Sequence, residues 1–330
     1  LGTIFIRLLK MIIVPLIFTS IITGVSGISD GQHLKRLGAK TLTYYLASSL
    51  FAIIIGLFLS NLIQPGTNLN LTSTKAFDTS KLNTPSSPAE ILIRMIPLNP
   101  IQAASNGDML GIIFFALFLG ISITQISKEY KHHLIIFFTS LFKAVMKITQ
   151  IIIKFAPIGV LGLITKTVAT NGLGMFVAVG KYMLTIIAGL SLHMLFVLPV
   201  IFYLITKIIP ITHFKAMGSA MATAFSTSSS SATLPITMKC LCDNAKVSNK
   251  TASFVLPMGA TVNMDGTALY ECAGVIFISQ VLGVDLSFTQ QFIIVITALL
   301  ASIGAAGIPS AGLVMIFIVT QAVGFNDSDV

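Results

Sequence analysis

The chain has 330 residues, of which 55% are hydrophobic and only 9% charged; its mean hydropathy is +0.93. Soluble domains carry roughly 25% charged residues, so this composition excludes a soluble enzyme or binding module and gives a polytopic, multi-pass membrane protein with the lipid bilayer as its surroundings. The formal net charge of +9 does not mark a nucleic-acid binder. Lys35, Arg36 and Lys40 share one loop between apolar runs, Lys128 and Lys131 another, Lys207 and Lys215 a third, and Lys239, Lys246 and Lys250 a fourth, whereas 283–290 has neither Lys nor Arg. The positive-inside rule places the basic loops in the cytoplasm.

In chain order, residues 3–29 form an apolar run with Arg7 and Lys10 near its start, and Pro15 predicts a kink. Residues 41–63 form a second span. Tyr45 and Ser49 lie four apart, on one helix face; by residue type alone, ordinary Tyr/Ser packing between membrane helices explains this face better than a ligand set. Residues 64–90 are rich in Pro, Ser, Thr and Asn and read as an exposed loop. Residues 91–127 are broken apolar segments punctuated by Pro97, Pro100 and Gly107, with Asp108 near the start of a run. One long span is expected over 134–165, carrying a Lys143/Lys147 stripe at i, i+4, and another over 174–209, where His193 reads as a packed polar residue rather than a ligand. Cys240, Cys242 and Cys272 make no disulfide framework or zinc pair. There is no signal peptide and no initiating Met, and the chain stops close to an apolar run, as expected of a piece of a longer protein.

The informative polar residues lie inside apolar surroundings. Ser226 to Ser231 is a serine-rich run, and its apolar flanks of about ten residues a side are too short to span a bilayer. They predict a re-entrant hairpin whose tip offers hydroxyls and helix-N-terminal amides to an anion. A second interrupted segment follows: 291–303 is apolar, 304–312 is Gly-Ala-Ala-Gly-Ile-Pro-Ser-Ala-Gly, and 313–323 is apolar again. Between them, 251–282 is a span interrupted by Asn263-Met264-Asp265-Gly266-Thr267. Ionisable groups at such depth face the protein interior and mark ion or substrate paths, and unwound backbone is tolerated there only where it is buried or lines a cavity. Carbonyl, amide and carboxylate oxygens together suit a hard cation such as Na⁺. The plainer alternative is a buried Asp that caps a helix. Paired Gly/Pro-interrupted segments around a broken span are the sequence pointer to a transporter site. Of the eleven Asp and Glu residues, Asp265 and Glu271 are the two deep in an apolar span. A carboxyl group at that depth can carry a proton; a Glu hydrogen-bonded only for packing is the alternative.

At Ser228 to Pro235, Leu256 to Tyr270, Ala301 to Leu313 and Phe5 to Met11, the chain resembles the dicarboxylate/amino acid:cation symporter family, which includes the excitatory amino-acid transporters and their prokaryotic homologues. The likeness covers essentially the whole chain. It implies an all-α, glutamate-transporter-like elevator fold and a homotrimer in a plasma or inner cell membrane. The scaffold would comprise 1–30 and 91–165. The transport domain would comprise 34–64 and 174–330, with hairpin 1 at about 214–240, the broken helix at about 251–282 and hairpin 2 at about 289–325. Carried over by motif, substrate would touch Ser228, Ser230, Thr267, Ile308 and Gly312. One Na⁺ site would use the backbones of Gly259 and Asn263, and a second Thr261, Ser302, Ile303 and Ala305, mainly through carbonyls. A third would use Tyr45, Ser48, Ser49, Asn263 and Asp265. Glu271 matches the position tied to proton coupling.

A Ser at 228 and a Glu at 271 resemble the animal acidic amino-acid transporters rather than archaeal members, which have Arg at the first position, or neutral exchangers, which tend to have Gln at the second. The family's first and last spans have no counterpart in these residues, and the last carries further substrate and Na⁺ ligands. The resulting expectation is a sodium- and proton-coupled symporter of L-glutamate or L-aspartate, not an enzyme, with C4-dicarboxylates or neutral amino acids as alternative substrates. An intramembrane protease built on Ser229 or Asp265 is disfavoured. The serine route lacks a positioned base, and the aspartyl route needs a second carboxylate in the same site. An ion channel would pass current without substrate stoichiometry.

Overall fold

The computed structural model describes residues 2–26, 32–67, 93, 96–106, 108–171, 175–304, 311–323 and 325. Among these the secondary structure is helical, as apolar backbone in lipid must be if each N–H and C=O is to find a partner within its own segment. In chain order the helices are α1 (Gly2–Ser26), α2 (Gln32–Ile63), α3 (Pro100–Asn106), α4 (Met109–Gln125), α5 (Lys128–Lys154), α6 (Ala156–Asn171), α7 (Met175–Leu192), α8 (Leu198–Thr206), α9 (Pro210–Thr227), α10 (Ser230–Lys239), α11 (Asn249–Val262), α12 (Asp265–Val281), α13 (Phe288–Gly304) and α14 (Ala311–Val323). Four stretches, Gly2–Ser26, Arg36–Ile63, Lys128–Lys154 and Phe176–Thr206, are long and apolar enough to cross a membrane. The last runs through α7 and α8, which are joined by a π-helical turn at His193–Val197.

Where the helices stop follows from local chemistry. The predicted single span over 134–165 is instead two helices, because Pro157 has no N–H for the Ile153 carbonyl and its ring crowds that carbonyl. α5 therefore ends at Lys154, with the Phe155 amide shared between the Ile152 and Ile153 carbonyls. Asp108 caps α4, its carboxylate accepting the Gly111 amide at 3.3 Å. At Pro15 in α1 the Thr19 hydroxyl donates back to the Pro15 carbonyl at 2.6 Å. Ser228 adopts left-handed backbone (φ 48°) and ends α9, and Ser229 caps α10 by accepting the Ala232 amide at 3.3 Å.

α1 packs along α4, α5 and α6. The side chains of Ile12, Ile13, Ile17, Ile21 and Ile22 are buried with Ile112, Ile113, Ala116 and Ile123 of α4. Phe18 stacks on Phe115 at 6.2 Å and meets Phe138 edge-on at 6.1 Å. α12 is the most enclosed element, packed by α2, α7, α13 and α14. Its run from Ala268 to Ile276 is buried except at Tyr270, Glu271 included, as expected of a helix that is apolar all round. Glycine lets two backbones approach where a Cβ on Gly56 of α2 would lie 2.9 Å from the Leu269 carbonyl oxygen of α12.

Candidate functional site

The break in the 251–282 span falls where the motif lies. α11 ends at Val262 and α12 begins at Asp265, with Asn263 (φ −105°, ψ 81°) and Met264 (φ −113°, ψ 61°) in non-helical geometry between them. Neither half is long enough alone: fourteen residues in α11 and seventeen in α12 give about 21 and 26 Å at 1.5 Å per residue, against a hydrocarbon core of about 30 Å. The last turn of α11 loses its following amides. The Gly259 carbonyl accepts the Asn263 amide at 3.1 Å, while those of Ala260, Thr261 and Val262 have no helical N–H beyond them. The carbonyl end of α11 thus faces the amide end of α12, where Asp265, in the first turn, meets the positive end of the helix dipole.

Side chains from two other helices converge on Asp265. From α2, the Ser48 hydroxyl donates to Oδ2 at 2.7 Å and the Ser49 hydroxyl to Oδ1 at 2.7 Å. Ser48 also lies 3.3 Å from Oδ1 of Asn263. From the π-helical turn, His193 Nε2 lies 3.0 Å from Oδ2. Ser48, Ser49 and His193 are buried. Tyr45, one turn before Ser49, donates its hydroxyl to the Val255 carbonyl of α11 at 2.9 Å, and a Cβ on Gly259 would sit 2.6 Å from that hydroxyl oxygen. Of the expected third ion site, then, Ser48, Ser49, Asn263 and Asp265 are directly linked, and Tyr45 is fastened to the next turn of the same broken helix. On the Tyr45/Ser49 face, the Ser49 hydroxyl goes to the Asp265 carboxylate and the Tyr45 hydroxyl to a backbone carbonyl of α11. A cluster of one carboxylate, one amide and hydroxyl oxygens is hard-cation chemistry.

Gly259 and Asn263, expected to share an ion through their backbones, are joined by the hydrogen bond already described. Of the remaining set, Thr261 bonds the Met258 carbonyl at 3.1 Å and Ser302 the Leu299 carbonyl at 2.8 Å. Ile303 packs with Tyr45, Met258 and Val262, which brings the end of α13 to the end of α11. Ala305 and Ile308 lie outside the described residues. Among the substrate residues, Gly312 meets Thr267: a Cβ there would lie 3.1 Å from the Tyr270 ring and 3.8 Å from Cγ2 of Thr267. Ser228 and Ser230 are exposed at the start of α10, and no hydrogen bond among the described residues ties them to Thr267 or Gly312. The α9–α10 and α13–α14 helix pairs each pack against themselves.

Two findings go beyond sequence reasoning. His193 was legible as a polar residue in an apolar run, but nothing in its spacing pointed to a carboxylate 72 positions later. Glu271 is fully buried, and neither side-chain oxygen has a hydrogen-bond partner among the described residues. The packing explanation for it, a Glu held by hydrogen bonds, therefore has no support among these residues.

The chain is similar over its whole length to known transporters. The family model described as "Sodium:dicarboxylate symporter family" matches residues 1–330. Relatives include the mouse protein named excitatory amino acid transporter 3, 36% identical and matched over 100% of this chain and 72% of its own length. They also include an excitatory amino acid transporter of Caenorhabditis elegans (36%; 100% and 74%) and human excitatory amino acid transporter 5 (33%; 100% and 70%). With its broken helix, its apolar spans and this match from end to end, the chain belongs to the sodium:dicarboxylate symporter family, whose members are membrane-embedded transporters and not enzymes.

Proposed function

We propose that the protein is a sodium- and proton-coupled symporter of acidic amino acids, L-glutamate or L-aspartate, working by an elevator movement within a homotrimer in the plasma or inner membrane. The observation that carries this reading is the Asp265 cluster, in which a carboxylate at the mouth of a broken helix is held by α2 hydroxyls beside an amide oxygen. The family description names sodium, and the relatives' names supply the substrate class.

In this reading Na⁺ at Asp265, Asn263, Ser48 and Ser49 fixes α2 against the α11–α12 break. Further Na⁺ is held by carbonyls of Gly259 and Asn263, and by Thr261, Ser302, Ile303 and Ala305. Ser228, Ser230, Thr267, Ile308 and Gly312 hold the substrate. α13 and α14 form a re-entrant gate on the extracellular side, and α9 and α10 its cytoplasmic counterpart. Residues 34–64 and 174–330 then move against a scaffold of 1–30 and 91–165. α1 packs mainly on α4–α6, and α12 mainly on α2, α7, α13 and α14, with fewer contacts between the two groups, which supports that division. Ions and substrate are coupled because they favour the same closed state. Glu271 carries the proton: its buried carboxyl group has no hydrogen-bond partner among the described residues, and such a group is costly to bury in its charged form.

The test is uptake of labelled L-aspartate and L-glutamate into proteoliposomes with and without an inward Na⁺ gradient. Sodium-driven accumulation that unlabelled acidic amino acids compete away is the expected result. The family description also names dicarboxylates. Accumulation of labelled succinate or malate, with no uptake of acidic amino acids, replaces the substrate assignment by C4-dicarboxylates; uptake of neutral amino acids alone replaces it by that class.

A further inference from the structure

Asp265 receives more donors than the ion site requires. As an ionised carboxylate it only accepts, and it offers about four lone-pair directions. Ser48 and His193 take both directions on Oδ2, and Ser49 takes one on Oδ1. Among the described residues one direction stays open, and it is on Oδ1. The imidazole reaches Asp265 through Nε2, which therefore carries the proton in either charge state of the ring. Its other nitrogen, Nδ1, is buried without a hydrogen-bond partner among the described residues. A buried polar atom left unpaired destabilises, and an apolar side chain of similar size would avoid that cost. The residue also begins a π-helical turn, a local departure from α geometry found mostly at functional sites. The contact that brings Nε2 to Asp265 leaves Nδ1 unpaired, which packing alone does not call for.

Resting on the sodium-site reading above, we infer that His193 is a positioning residue for the transported cation: its Nε2–H saturates Oδ2 of Asp265 and fixes the carboxylate with Oδ1 as the oxygen open to the ion. It acts through Asp265 and does not itself ligate. Without it Oδ2 keeps only the Ser48 hydroxyl, each oxygen is left with a single donor and both become available to a cation, so the site loses pre-organisation. Outer partners of this kind, holding a ligand in place, typically contribute 10–100-fold in ion affinity.

The experiment compares His193→Ala, His193→Gln and His193→Asn in proteoliposomes. The Na⁺ concentration for half-maximal uptake is read at saturating substrate, and the Na⁺-dependent rise in Tm of the purified protein is the second readout. Gln places an amide nitrogen where imidazole Nε2 lies, whereas Asn reaches only as far as Nδ1. The expected result is a half-saturating Na⁺ concentration raised about 10-fold or more in His193→Ala and His193→Asn. His193→Gln is expected to restore it, with substrate KM at saturating Na⁺ little changed. Gln and Asn variants that behave alike, or an Ala variant with wild-type sodium dependence, would overturn the inference. If the Ala variant does not fold, the Gln/Asn comparison decides. Asp265→Ala, measured alongside, separates the two readings. Loss of sodium dependence there, with a normal His193→Ala, removes only the positioning role. Retention in both removes the sodium site itself.

Discussion

Asp265 and Glu271 lie six positions apart on one helix, yet their surroundings assign them different work. Asp265 is met by Ser48, Ser49 and His193 and lies in the first turn of α12, so its carboxylate is held in place. Asp265→Ala removes the acceptor on which those donors converge and leaves them unpaired in a buried place. Sodium-dependent uptake is expected to fall by at least about 100-fold, as when a metal-site ligand or its support is lost, and unchanged sodium dependence would sink the ion-site assignment. Glu271 has no donor among the described residues, so its charged form is the one that burial penalises. Replacing it with Gln keeps the shape and removes the proton-binding site. Uptake by Glu271→Gln is expected to be insensitive to external pH, whereas in the unaltered protein it falls as pH rises and the proton to be carried becomes scarce. A variant whose pH profile matches the parent's would remove Glu271 from proton coupling.

Among the elements, the contact between α2 and α12 sets the geometry of the cluster, because it fixes Ser48 and Ser49 on one side and Asp265 on the other. At Gly56 there is room for hydrogen only beside the Leu269 carbonyl. A Gly56→Ala change must push two backbones apart. We expect a loss of about 1–3 kcal/mol from overpacking, measured as a lower Tm, together with weaker sodium dependence as the serines withdraw. A weakened protein with normal sodium affinity would show that the serines are held independently of this contact. Gly259→Ala tests the second contact of α2 with the broken helix. Its methyl group would displace Tyr45 from the Val255 carbonyl, and a similar loss of about 1–3 kcal/mol is expected in thermal unfolding.

At the scale of the molecule, both packing groups leave large apolar side chains uncovered, as Phe58 and Leu62 of α2 and Met183 and Leu184 of α7 show. α5 exposes Ile136, Phe137, Leu141, Ile148 and Ile151 along its length, an apolar surface of the kind that meets lipid or protein. In the proposed trimer the scaffold group supplies that interface and the α12-centred group moves. Native mass spectrometry from detergent is expected to give three copies. A monomer that retains sodium-driven uptake would exclude the trimer as a requirement.

The sequence by itself determined the class of protein. Its composition allows only a membrane environment, and polar residues inside apolar runs cost too much to be there without function. Asn263-Met264-Asp265-Gly266-Thr267 therefore stood out as a helix break, and so did the turn at Ser228-Ser229, where serines interrupt runs too short to span. Local rules sufficed for these because the causes are local: a missing amide, a cap, a flexible backbone. Asp108, legible only as a residue near the start of a run, caps α4 by accepting the Gly111 amide. Local rules misjudged 134–165, where hydropathy hid the effect of Pro157. What only the tertiary structure decided is which side chains share a site. Ser48 and Ser49 are more than two hundred positions from Asp265, and His193 is reached across a π-helical turn that no periodicity predicts. Helix spacing says which residues share a face, but not which face meets which neighbour. That choice is made by packing among many helices at once, where Gly56 admits α12 and the α2 hydroxyls find the carboxylate.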